Sequence, residues 1–86
     1  MSADAAAGTG VRAVVEVLAK ALADDDVRVT ETQQSKGTLI ELFVSQRDMA
    51  KVLGRSGRTA AALKTLAATA GEKDGKQVTL EIRESR

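Results

Sequence analysis

DMAKVLGRSGRTAAALKTLAATAG, residues 48–71, decides how this chain is read. Met49, Val52 and Leu53 make a short helical pattern that stops at Gly54. A second pattern opens at Arg58, with Leu63, Leu66, Ala67 and Ala70 on its expected buried stripe and Gly71 as its expected stop. Between the two stand glycines three apart, Gly54 and Gly57, enclosing Arg55 and Ser56. Glycine turns tightly and lets bare backbone approach a ligand. A helix opening at Arg58 would aim its unsatisfied N–H groups at that turn, which favours a phosphate oxygen. Lys51, Arg55 and Arg58 add positive charge around the same point. A bare G-x-x-G is common by chance; its place between two short helices makes it informative.

Outward from this stretch the periodicity changes. Ser45 to Asp48 carries a capping pattern, Ser45 as N-cap with an acidic residue three positions on, so the first helix is expected over 46–53. Before it, Thr38 to Val44 (TLIELFV) is apolar at nearly every position, as a central strand is. Residues 27–32 alternate like a half-buried strand, and 33–37 form a polar connector of hairpin-loop length. Val11, Val14, Val15, Leu18, Ala19 and Leu22 are spaced as one face of an amphipathic helix over 11–23. Asp24, Asp25 and Asp26 oppose the macrodipole at that helix's end. They read as a solvated turn, with a metal role the lesser alternative. On the C-terminal side, 72–76 is a charged loop, and Val78, Leu80 and Ile82 alternate with Thr79, Glu81 and Arg83 as a last strand. The order is α-β-β-α-α-β. This predicts an α+β two-layer sandwich: a three-stranded mixed sheet with three helices on one face. Strands one and two form an antiparallel hairpin; the helical crossover makes strands two and three parallel.

Composition excludes much chemistry. Eighty-six residues allow one domain, and 15 of the apolar residues are Ala with Phe43 the sole aromatic, so the core is small. With no Cys and no His, disulfides, thiolate sites and Ser-His catalysis are absent, and neither an enzyme nor a cofactor or metal site is expected. The net charge of +1 hides a polarity. Residues 47–64 carry Arg47, Lys51, Arg55, Arg58 and Lys64 against Asp48 alone, a net +4, while residues 1–46 stand at −3. A local basic patch is the electrostatic footprint of a nucleic-acid binder. Residues 1–10 read as a disordered tail and 11–84 as the domain. No targeting or membrane segment is legible, so a cytoplasmic protein without membrane or small-molecule partners is expected.

The quoted stretch, set in that element order, resembles a KH domain of type II topology, and most of all the small bacterial KhpA family of single-KH-domain RNA-binding proteins. The likeness covers about residues 11–84. It implies that Gly54, Arg55, Ser56 and Gly57 clamp the backbone of single-stranded RNA, with Lys51 and Arg58 flanking. It also implies an RNA chaperone or post-transcriptional regulator that homodimerises or pairs with a larger KhpB-like protein. With no stacking platform available, bases would enter an apolar groove of Ala60, Ala61 and the aliphatics of strand two. The likeness departs at Ala60, where KH domains often carry a large aliphatic; a shallower groove is expected. Two other readings use the same residues. A DNA-reading helix-turn-helix would use 58–70 as recognition helix, which lacks base-reading side chains. A protein-interaction module would use Ala60, Ala61, Ala62, Ala67 and Ala68 as a small-residue surface.

Overall fold

The computed structural model describes residues 10–85. The elements are α1 (Gly10–Leu22), β1 (Arg28–Gln34), β2 (Gly37–Val44), α2 (Gln46–Leu53), α3 (Arg58–Lys73) and β3 (Val78–Glu84). The expected tail, residues 1–10, lies outside the described residues except for Gly10, which opens α1. The sheet order is β1-β2-β3, β1 antiparallel to β2 and β3 parallel to it. None of the helices described is long and apolar enough to cross a membrane.

Strand β2 explains the layering. Thr38, Ile40, Leu42 and Val44 are buried, while Leu39, Glu41 and Phe43 between them are half-buried. The buried face meets Val11, Val15 and Ala19 of α1, Val52 of α2 and Leu63 and Ala67 of α3. The opposite face is finished with polar contacts. The Arg28 guanidinium sits 4.6 Å from the Phe43 ring centre, and Arg83 bonds Glu41 at 2.8 Å and Glu81 at 2.6 Å.

Four expectations need correction. The hairpin loop is two residues, Ser35 and Lys36, because the ladder runs on to Gln34 opposite Gly37. Gln33 is polar yet stays in the strand, since its side-chain carbonyl accepts from Thr38 Oγ1 at 2.9 Å across the pair. Gly71 does not stop α3; it is buried inside it, where a Cβ would lie 2.4 Å from Val78 Cγ2. The helix ends at Lys73 in a Schellman turn. Lys76 N–H donates to Gly71 O at 2.8 Å, Gly75 N–H donates to Glu72 O at 2.9 Å, and Gly75 takes φ +73°. Finally, the buried stripe of α3 is Ala60, Leu63, Ala67 and Gly71; Leu66 is 51% exposed. Val14, also expected to face the core, is exposed on α1.

Candidate nucleic-acid interface

Helix α2 is aimed by its start. Ser45 is the N-cap and accepts from Asp48 N–H at 3.2 Å. The Asp48 carboxylate is spent elsewhere than on the helix start alone. It is fully buried and accepts from the N–H groups of Asp24 at 3.1 Å and Asp25 at 2.8 Å. Those donors, Asp25 first, hold its pKa below the ordinary value against the opposing effect of burial. Asp25 in turn accepts from Ser45 Oγ at 2.9 Å and from Arg47 Nη2 at 2.8 Å. The acidic turn after α1 is therefore a clasp on α2 (and no metal-holding cluster occurs among the described residues).

Gly54 closes α2, its N–H donating to Ala50 O at 2.9 Å. Its φ of +77° with ψ of 174° suits glycine alone. A Cβ there would fall 2.1 Å from Thr59 Oγ1 and 2.8 Å from Thr59 N. Sequence reasoning passed over Thr59, which is the wall that Gly54 must clear. Ser56 (φ 55°, ψ 27°) and Gly57 (φ 73°, ψ 14°) are both left-handed. Gly57 N–H donates to Gly54 O at 3.1 Å, tightening the turn. Helix α3 then opens at Arg58 with no side-chain cap. Arg58 N–H donates to Arg55 O, and the first-turn amides beyond it have no side-chain cap, which suits an anion. Arg55, Ser56 and Arg58 are exposed beside it.

The cations expected here divide into two groups. Arg47 is bound to Asp25, and Lys51 Nζ is bound to Asp24 Oδ2 and lies 3.9 Å from Asp48 Oδ1. Arg55, Arg58 and Lys64 have no ion pair among the described residues. The expected groove is not open. Ala60 is 7% exposed, and Ile40, Leu42 and Val44 have no exposed surface, since these residues make the core under α3. Of that set only Ala61 is exposed, and Leu39 is half-buried on the other face of β2. The sequence carries no sign that Asp48 is buried: a carboxylate three residues after a Ser reads as a helix cap until the fold brings residues 24 and 25 to it.

A family model described as KhpA/KhpB, KH domain, matches residues 12–82. An RNA-binding protein KhpA of Aquifex aeolicus (strain VF5) is 45% identical over 78 residues, covering 88% of this chain and 99% of its own. Its counterpart in Clostridium perfringens (strain 13 / Type A) is 40% identical over 74 residues, covering 84% and 99%. The one in Halalkalibacterium halodurans is 43% identical over 74, covering 84% and 97%. Among solved structures, Aquifex aeolicus Era bound to GDP and aluminium fluoride superposes with a TM-score of 0.56 at 15% identity. That match covers 87% of this chain but only 30% of Era, and at that identity it speaks for the fold alone.

Proposed function

This chain belongs to the KhpA/KhpB KH-domain family, and we propose on that premise that it is a single-stranded RNA-binding protein of the chaperone or post-transcriptional regulator type. One observation carries the reading. The backbone takes positive φ at Gly54, Ser56 and Gly57, directly before an uncapped helix N-terminus, with Arg55 and Arg58 exposed. A backbone phosphate seated on the turn would take the uncapped first-turn amides of α3, and the two guanidiniums would neutralise it. Contacts of this kind position a strand without reading its sequence, so discrimination among RNAs is low. With Phe43 under Arg28 and the Ala60 side chain in the core, neither an aromatic platform nor the expected Ala60 groove is open to bases. Affinity is then in the micromolar range and strongly salt-dependent.

The relatives carrying the name RNA-binding protein KhpA support RNA as the partner, and the family description supports a KhpB-like protein as a further one. The surface for pairing is the exposed side of α3, where Ala62 and Leu66 lie one turn apart. We place the protein in the cytoplasm, where such an RNA partner resides.

The test is titration of labelled single-stranded RNA with wild type and with the Arg55→Asp, Ser56→Asp double variant. Both side chains are exposed, and Asp tolerates the left-handed conformation of Ser56, so the variant folds. RNA binding is abolished in this reading. A folded variant that binds like wild type overturns it.

A further inference from the structure

Lys51 stands one helical turn before Gly54, yet its ammonium is bound to the acidic turn after α1. Helical side chains lean toward the N-terminus of their own helix. Lys51 follows that lean onto Asp24 Oδ2, with Asp48 Oδ1 at 3.9 Å. Asp48 is buried and ionised by its two backbone donors, so its charge persists behind the pair. Three carboxylates, Asp24, Asp25 and Asp48, hold Lys51 and Arg47. Across the loop, Arg55, Arg58 and Lys64 face no carboxylate partner among the described residues.

We propose that Asp24 is an affinity-setting residue, which competes with an RNA phosphate for the Lys51 ammonium and so withholds one cation from the clamp. This rests on the RNA-binding reading above. Asp24 and Lys51 are 60% and 46% exposed, so the pair itself is weak and adds little to stability. What it does is set where the charge points. Removing the Asp24 carboxylate leaves Lys51 with Asp48 alone, 3.9 Å away, and lets the flexible stem swing toward Gly54. The fold survives this change, because Asp24 binds Asp48 through its backbone N–H and not its side chain.

The experiment is a double-mutant cycle read by anisotropy of a labelled oligouridine at low and physiological salt. Asp24→Asn tightens binding about threefold and steepens the salt slope by about 0.7, the increment of one phosphate contact on a single strand. In the Lys51→Gln background, Asp24→Asn gives no gain. Asp26→Asn, which removes an exposed carboxylate bound to neither cation, gives less than Asp24→Asn. The proposal is overturned if Asp24→Asn binds no tighter than wild type, if the gain survives in Lys51→Gln, or if Asp26→Asn equals it. Asp24→Ala repeats the test where the Asn amide itself retains Lys51. The Arg55→Asp, Ser56→Asp variant runs in parallel. If it binds undiminished, the clamp reading falls and this proposal with it; if it loses binding while Asp24→Asn changes nothing, this proposal alone falls.

Discussion

Two glycines three positions apart do different work in this loop. Gly54 is fixed by space as well as by conformation, since a Cβ would meet Thr59 Oγ1 at 2.1 Å. Gly57 has nothing within 4 Å of its would-be Cβ and is fixed only by its φ of +73°. Gly57→Ala is therefore expected to cost about 1–2 kcal/mol, the penalty of a left-handed L-residue. Gly54→Ala adds a steric clash against backbone and should cost about 3 kcal/mol or more. Urea midpoints of the two variants check the ranking, and equal values would refute it. Asp48 has its own signature at this scale. Its folded pKa is depressed chiefly by the Asp25 N–H, so its contribution is complete at neutral pH. The contribution is lost as pH falls through the folded value, below the ordinary carboxylate range. Asp48→Asn cannot offer an acceptor to both donors, so it is less stable at pH 7. It also loses less than wild type on acidification from about pH 5 to about pH 3. Thermal melts across that window report both effects; parallel pH profiles would refute the assignment.

At the scale of the element, helix α3 separates what a sequence can say from what it cannot. Its start is legible, because Gly57 followed by Arg58 and an alanine run has one good reading. Its end is not. Gly71 has the composition of a terminator, and only the approach of β3, with Val78 Cγ2 2.4 Å from a would-be Cβ, gives it a mid-helix role. The true terminator, Gly75, lies in a loop of charged residues where the pattern carries no period. Leu66 failed for a related reason: 3.6-residue spacing marks a stripe but not its width, and the buried stripe here is narrow and made of small residues. The consequence is testable. Gly71→Ala raises helix propensity by about 1 kcal/mol yet overpacks the α3–β3 contact by about 1–3 kcal/mol. The expected net is a loss of stability, restored in part by Val78→Ala in the same chain. If Gly71→Ala alone is stabilising in urea titrations, the close approach is not what fixes this glycine.

Across the whole molecule, element order and sheet direction were legible because each strand and helix announces itself by period. The distribution of charge was legible only along the chain, and space redistributes it. Counted in sequence, the eighteen residues 47–64 offer five cations to a polyanion. In the fold, the turn after α1 arrives against α2, and Asp24 and Asp25 take Lys51 and Arg47. Three cations remain without a carboxylate partner among the described residues: Arg55, Arg58 and Lys64. The two counts predict different salt dependences. A single strand releases counterions with a slope of about 0.7 per neutralised phosphate. Five contacts would give a log–log slope of about −3.5, and three give about −2. The second value is expected for this protein on short oligouridine. Charge removal should follow the same partition. Arg58→Gln is expected to flatten the slope by about 0.7, since Arg58 is a phosphate contact in the proposed clamp. Arg47→Gln leaves it unchanged, since Arg47 is spent on Asp25. A wild-type slope near −3.5, or equal flattening by the two substitutions, would mean that the acidic clasp opens when RNA binds.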